Sequence, residues 1–363
     1  MVHGYYVEVE TIIVKFLPKG IHFYYLCGGR GIGKTYGAID FIRKVALGQF
    51  IIDPSEPEQK FIYLRRRNVE TQAIASKQGN AFKKYNKGEG TAMYTEYNRE
   101  LGFGEIYDAT VIDKETDKPK LLGYASSVST FDNLTGIDFS DVVLIFYDEC
   151  LPRNRNKSPI KGEGFVFLNM IETINRNRRL EGKCEVVVIM LSNATDLSSP
   201  FLSQLVITPI LNNMIFNNQQ AYTDYNRSLH IEKYKDHAVS QAKEEGVLYK
   251  FAAPTGFNEE ALSGDFVHND LTMIEKINYV EYTAFLTLEN ICVYKHKSLE
   301  KWHISSKCMP SKYNFKVYER AKFREVFYWK YKLLVVDRLV TYDNFNTQTV
   351  FNEMIQYKPL PTM

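Results

Sequence analysis

The stretch "CGGRGIGKTYGAIDF", residues 27–41, decides the fold. It matches the spacing G-x-x-x-x-G-K-[ST] through Gly28, Gly33, Lys34 and Thr35. The apolar run "IHFYYL" before it is typical of a buried strand, and the apolar residues after it recur at helical spacing. A strand, a glycine-rich turn and a helix in this order predict a phosphate-binding loop in an α/β protein.

The predicted turn would bind phosphate mainly through its backbone. Successive N–H groups of a tight turn at the start of a helix point inward and attract an anion. In this motif the lysine reaches the β- and γ-phosphates and the hydroxyl ligates Mg²⁺, which assigns those roles to Lys34 and Thr35. The alternative is a glycine-rich turn that binds nothing. The motif spacing, the preceding strand and the following helix all favour a phosphate site instead. The sequence therefore predicts ATP and Mg²⁺ as ligands, with the nucleotide held by Gly28, Gly29, Arg30, Gly31, Ile32, Gly33, Lys34 and Thr35.

A second strand carries the acidic residues that such a site needs. In "DVVLIFYDEC" a continuous apolar run, residues 142–147, precedes Asp148 and Glu149. Runs of this kind are typical of strands buried on both faces in a parallel sheet. We expect Asp148 to hold the metal and Glu149 to act as the general base for an attacking water. The acidic pair therefore favours hydrolysis over transfer to another substrate.

Two more predicted strands, residues 61–67 and 184–194, complete a series of strands that alternate with helical segments. This alternation predicts a parallel sheet covered by helices. The second strand carries polar Ser192 and Asn193 near its end, and Asn193 either contacts the γ-phosphate or the lytic water or only caps a turn. Both interpretations stay open at this point.

Two groups of basic residues follow the acidic strand. The first occupies a polar loop, where exposed cations attract phosphate: Arg153, Arg155, Lys157 and Lys161. The second is three arginines within residues 176–179, at the end of a helix predicted over residues 165–180. Cations at a helix C-terminus are favourable in themselves, and an arginine finger that reaches a neighbouring subunit's γ-phosphate is the other explanation.

Composition narrows the classes of protein. A length of 363 residues favours two domains, and 45% hydrophobic with 24% charged residues is typical of a soluble globular protein. No apolar run approaches the roughly 20 residues that span a bilayer, so we expect no membrane partner. Five cysteines without C-x-x-C spacing give no zinc signal. The net charge of +2 argues neither for nor against nucleic acid.

The motifs together resemble the DNA-packaging ATPase (encapsidation protein) family of phi29-type tailed phages, a terminase-like motor. The matching stretches lie in the first 200 or so residues in this order: "GGRGIGKT", "FIYLRR", "IFYDE", "LNMIETINRNR", "LSNA" and "SPFL". The resemblance implies a P-loop NTPase domain of the additional-strand, catalytic-glutamate class (FtsK/HerA-like) at residues 1–195. A linker subdomain at 196–264 and a ribonuclease-H-like α+β domain at 265–363 would follow.

The resemblance also implies a function and partners. Such proteins form a homo-oligomeric ring, usually a pentamer, at the portal vertex of a prohead and drive double-stranded DNA into it. The chain would act in the cytoplasm of the infected host cell, and use of a packaging RNA stays open. Arg176 matches the family's finger in trans, and Arg65 and Arg66 match a segment near the nucleotide or the subunit interface. Arg67 and Asn68 stand where the type member has a lysine.

The C-terminal part predicts a domain without nuclease activity. Residues 279–297 alternate like a β-hairpin with its turn near residues 288–290, as the first strands of a ribonuclease-H-like sheet would. Cleavage needs carboxylates that converge on two metal ions. The candidates lie outside any D-x-D or D-x-E pattern that would bring two of them together: Glu281, Glu289, Asp337 and Asp343.

Other functions remain as alternatives to the translocating ATPase. One is a module that binds nucleic acid or capsid protein in response to nucleotide without hydrolysing it, for which a base such as Glu149 is dispensable. Another is a helicase-like ATPase that moves single strands. Stacking aromatics favour that function, and the loop at residues 153–161 contains none.

Overall fold

The computed structural model describes residues 6–134, 136–152, 160, 162–193, 197, 199–234, 238–253, 273–337 and 339–355. Residues 1–195 and 219–266 form one compact unit, and residues 196–218 and 267–363 form a second. Across the described ranges, no helix combines the length and the apolar character that a membrane crossing requires.

The first unit is built on a mixed sheet. Its strands in the described chain are β1 (Phe23–Gly28), β2 (Lys60–Arg65), β3 (Met93–Asn98), β4 (Phe103–Ile112), β5 (Pro119–Ser127), β6 (Val142–Tyr147), β7 (Val187–Asn193), β8 (Ala221–Asp224) and β9 (Leu229–Tyr234). They lie in the order β3-β4-β5-β2-β6-β7-β1-β9-β8. Neighbours from β5 to β9 pair in parallel, and antiparallel strands lie at both margins.

Continuous apolar sequences explain the parallel centre. Every residue of β2 and β6 is buried, because helices cover both faces of such a sheet. The strand predicted at residues 142–147 is confirmed with those bounds, and the predicted parallel sheet is confirmed with it.

Short helices connect the strands of both units. Along the described chain they are α1 (Val9–Phe16), α2 (Lys34–Ala46), α3 (Asn68–Ala75), α4 (Lys83–Glu89), α5 (Glu163–Asn175), α6 (Pro200–Gln204), α7 (Thr208–Phe216), α8 (Ala238–Glu244), α9 (Val247–Ala252), α10 (Arg320–Phe323), α11 (Trp329–Val336) and α12 (Phe345–Ile355). A π-helical turn, Arg324–Tyr328, joins α10 to α11. The helix predicted over residues 165–180 ends earlier, at Asn175, because Arg176 has a φ of 34°.

The second unit has a five-stranded mixed sheet. Its strands are β10 (Tyr282–Leu288), β11 (Ile291–His296), β12 (Trp302–Ser305), β13 (Tyr313–Phe315) and β14 (Val340–Tyr342), in the order β13-β10-β11-β12-β14. The predicted hairpin is confirmed: β10 and β11 are antiparallel, with Leu288 opposite Ile291. One face packs against α10 to α12 through aromatic residues such as Trp302, Phe327 and Phe351.

The division into units differs from the predicted one. The segment predicted as a linker subdomain, residues 196–264, is shared between the two units. Its first helices, α6 and α7, pack against α12 of the second unit. Its strands β8 and β9 extend the first sheet, since β9 pairs in parallel with β1.

Candidate nucleotide-binding site

The phosphate loop joins the end of β1 to the start of α2. Gly31 and Gly33 have φ angles of 75° and 86°, in the left-handed region that favours glycine. Gly28 faces the Tyr234 backbone so closely that a Cβ there would lie 2.7 Å from the Tyr234 carbonyl oxygen. The loop thus needs glycine at three of the predicted positions, whereas Ile32 packs into the core of the unit.

Lys34 is buried at the start of α2 beneath the loop. Its Nζ donates to the carbonyl oxygens of Gly28 at 3.0 Å and Gly29 at 2.8 Å. Burial lowers the pKa of Lys34 to about 8, although the nearby Asp148 and Glu149 carboxylates oppose this shift. In this structure the Lys34 side chain thus has two neutral carbonyl oxygens of the loop as hydrogen-bond partners.

Asp148 joins the loop helix to the acidic strand. Its Oδ1 accepts a hydrogen bond from Thr35 Oγ1 at 3.0 Å. Its Oδ2 accepts from the Tyr63 hydroxyl at 2.8 Å and from Arg65 Nη1 at 2.9 Å. A hydroxyl and a carboxylate side by side are the hard oxygen donors that Mg²⁺ prefers, so the two predicted metal ligands fit that ion.

Glu149 follows Asp148 on a backbone turn with a φ of 53°, which is uncommon for a residue other than glycine. Its Oε2 accepts a hydrogen bond from Arg65 Nη2. Arg65 therefore bridges both carboxylates. Burial disfavours the Arg65 charge, but these carboxylates outweigh it and hold the pKa of Arg65 above its usual value.

Asn193 reaches the same site because of the strand order. β7 lies between β1 and β6, and Asn193 pairs with Gly28 at the carboxyl ends of the strands. A cavity of about 330 Å³ opens there. It is lined by Arg30, Gly31, Gly33, Lys34, Thr35, Tyr36, Ile39, Ala81, Lys84, Tyr85, Asp148, Glu149, Leu191, Ser192 and Asn193. The structure thus brings together the predicted residues of the loop, the acidic pair and Asn193.

One wall of the cavity is aromatic. Tyr36 stacks on Tyr6 with ring centroids 4.7 Å apart and contacts Tyr85 at 5.2 Å. The Tyr85 hydroxyl donates to Asp40 Oδ1 at 2.9 Å. None of these residues belongs to a sequence motif, so the sequence predicts no role for them.

Arg66 has a partner outside the cavity. Its Nε and Nη2 donate to the two carboxylate oxygens of Glu163, at 2.8 and 2.6 Å, and the Tyr147 hydroxyl donates to Glu163 Oε1 at 2.9 Å. These groups are buried and connect β2, β6 and α5. Arg66 is therefore placed to stabilise the packing of α5, in contrast to Arg65 beside it.

The arginines after α5 lie near the amino ends of the parallel strands, whereas the cavity lies at their carboxyl ends. Arg178 is buried, donates to the carbonyl oxygens of Ser140 and Val142 where β6 begins, and pairs with Asp53 at 2.6 Å. Arg176 is exposed, and its Nε donates to the Thr173 carbonyl oxygen at 3.1 Å. Because the phosphate loop lies where the parallel strands end, Arg176 cannot reach its own cavity from this edge.

Four predicted DNA contacts lie outside the described residues: Arg153, Arg155, Lys157 and Lys161. In the second unit, Asp343 accepts hydrogen bonds from Ser305 and Ser306, and Glu281 lies near His296. Glu289 lies 3.7 Å from Lys316. Within the ranges that the structure describes, no three residues of His, Cys, Asp or Glu are grouped so as to hold a metal ion.

Comparison with known proteins identifies relatives. The family model of the Podovirus DNA encapsidation protein (Gp16) matches residues 13–309. The DNA packaging protein of Bacillus phage phi29 is 22% identical over 256 residues, which are 69% of this chain and 64% of that protein. The match therefore spans slightly less than two thirds of that relative's length.

Two solved structures have a similar fold over nearly the whole chain. The bacteriophage phi29 viral genome packaging motor assembly matches with a TM-score of 0.58 and 17% identity, over 95% of this chain and 98% of that chain. The phi28 gp11 DNA packaging motor matches with a TM-score of 0.56 and 16% identity over the same shares.

Proposed function

This chain belongs to the Podovirus DNA encapsidation protein (Gp16) family, and we propose that it is an ATP-driven motor that packages viral double-stranded DNA into a prohead. One observation carries the enzymatic part of the proposal. Thr35, Asp148 and Glu149 lie together beside a glycine loop that is shaped for phosphate. A site that only bound nucleotide would not need a second carboxylate beside the metal ligand.

The strand order supports the additional-strand, catalytic-glutamate class of P-loop NTPases. In this class an extra strand separates the loop strand from the acidic strand. Here β7 lies between β1 and β6, and its last residue, Asn193, lines the cavity between them. We assign Asn193 to the γ-phosphate or the lytic water on this basis.

Each residue of the site has a chemical role in the proposal. Backbone N–H groups of the loop and the Lys34 ammonium bind the phosphates of ATP. Thr35 and Asp148 would hold Mg²⁺, which when bound neutralises charge on the phosphates. Glu149 accepts the proton of the attacking water, and Arg65 orients the two carboxylates.

Arg176 would complete the site of a neighbouring subunit. It is exposed, is distant from its own cavity, and has a backbone conformation that is unfavourable for arginine, as is common where function constrains the chain. Its fixed charge suits the developing charge on a γ-phosphate. We therefore propose a ring of identical chains at the portal vertex, with a pentamer as the expected form.

Two further parts of the motor are assigned from sequence. The basic loop at residues 153–161 would contact DNA phosphates, independently of base sequence. Residues 265–363, most of which lie in the second unit, would be a ribonuclease-H-like relic that binds DNA or a partner and does not cleave. Its five-stranded mixed sheet, which includes the hairpin β10–β11, supports this assignment.

ATP turnover by the purified chain, with and without double-stranded DNA and proheads, tests the proposal. We expect turnover to rise when DNA and proheads are present. The Glu149→Gln variant should bind ATP and fail to hydrolyse it, because the amide cannot accept the proton of water. Wild-type turnover in Glu149→Gln would contradict the base assignment, and a single-stranded DNA requirement would favour a helicase.

A further inference from the structure

A second lysine, Lys243 of α8, lies against the phosphate loop. Its Nζ donates to the Arg30 carbonyl oxygen at 2.8 Å. A Cβ added at Gly31 would lie 2.0 Å from the same Nζ, so the ammonium fills the space beside that glycine. Lys243 and the loop belong to the same compact unit.

Lysines therefore contact three successive carbonyl oxygens of the loop. Lys34 binds those of Gly28 and Gly29, and Lys243 binds that of Arg30. A phosphate oxygen is a stronger acceptor for an ammonium than a neutral carbonyl oxygen, since both partners are charged. A polyphosphate that enters the loop thus competes for both lysines.

Positive charge accumulates around the phosphate loop. Lys34 and Lys84 line the cavity, and Lys243 lies against the loop itself. Burial and the Lys84 ammonium lower the pKa of Lys243. An anion bound among these three ammonium groups would relieve their mutual repulsion.

We infer that Lys243 binds the polyphosphate of the nucleotide beside Lys34 and thereby couples the position of α8 to nucleotide occupancy. This inference rests on the proposed nucleotide site. It adds a phosphate ligand that lies 213 residues after Arg30, outside every motif of the loop.

Nucleotide affinity of the full-length chain tests the inference. Fluorescent ATP and ADP analogues would be titrated into the wild type and Lys243→Met, with Lys250→Met as the matched control because Lys250 is an exposed lysine on the next helix. We expect Lys243→Met to weaken binding of both nucleotides about tenfold or more, as the loss of a charge-assisted hydrogen bond would. Lys250→Met should bind like the wild type, and Lys243→Arg should retain most of the affinity.

Hydrogen exchange supplies a readout that a merely structural role would not change. ATP should slow exchange across residues 238–244 in the wild type and in Lys250→Met, and should leave it unchanged in Lys243→Met. Wild-type affinity in Lys243→Met would overturn the inference. Equal losses in Lys243→Arg and Lys243→Met would also overturn it, because the contact with Arg30 would then matter and the charge would not. If the wild type and Lys250→Met bind no nucleotide, the nucleotide site itself is wrong.

Discussion

Lys34 shows how burial changes the pKa of a single residue. Its pKa of about 8 means that the ammonium is largely charged at pH 7 and largely neutral at pH 9. Bound phosphates raise this pKa, so the complex holds more protons than the protein alone when the pH exceeds about 8. Nucleotide affinity should therefore fall as pH rises above 8, by up to about tenfold per unit.

Calorimetry in buffers of different ionisation enthalpy measures the protons taken up on binding. We expect uptake near zero at pH 7 and substantial uptake at pH 9, most of it lost in Lys34→Met. Any proton uptake that remains in Lys34→Met would come from Lys243, whose pKa is also lowered. Binding without proton uptake at pH 9 would contradict the assignment of Lys34 to the phosphates.

At the scale of elements, the turn after α5 separates a buried arginine, Arg178, from the exposed arginine that we propose as a finger, Arg176. Arg178 and Asp53 form a buried ion pair, with side-chain exposures of 4% and 1%. Removal of one partner leaves a buried charge, which typically costs about 3–5 kcal/mol. Arg178→Met should thus lower the free energy of unfolding by roughly that amount in urea denaturation. Arg176→Met is the matched control and should change it by less than about 1 kcal/mol, because Arg176 is exposed.

The basic loop gives a second prediction for an element. Neutralising Arg153, Arg155, Lys157 and Lys161 should weaken DNA binding similarly for all sequences. The slope of affinity against salt should become shallower by roughly one unit per lost phosphate contact. ATP binding should be unaffected. An unchanged salt slope would indicate that the loop contacts protein or solvent instead.

Elements with strong local signals could be predicted from the sequence, and elements that depend on distant partners could not. β6 is a continuous apolar run and was predicted to the residue. β8 and β9 are short and contain many polar residues, and their strand pairing depends on distant partners, since β9 pairs with β1 and β8 with β9. The contacts of Arg65 with Asp148 and of Lys243 with Arg30 span 83 or more residues, and no local pattern encodes such contacts.

At the scale of the whole molecule, the proposed ring makes each active site depend on two chains. Arg176→Ala and Lys34→Ala should each be inactive alone, the first because it lacks the arginine finger and the second because its own site lacks the ammonium that contacts the β- and γ-phosphates. A mixture should recover part of the ATPase activity, since a chain with Lys34 intact can use Arg176 from the other variant. If mixed rings form and no activity returns, Arg176 does not act across a subunit boundary.

The chain passes between the two units three times, at residues 195–196, 218–219 and 266–267. A fragment that stops at residue 195 lacks β9, so β1 becomes an exposed sheet edge that can pair with other molecules. Residues 196–363, made as a separate polypeptide, contain the missing strand. Co-expressed halves should therefore assemble by strand complementation and purify together, while the first half alone should aggregate. The gene can thus be split at this junction to report on assembly inside the cell.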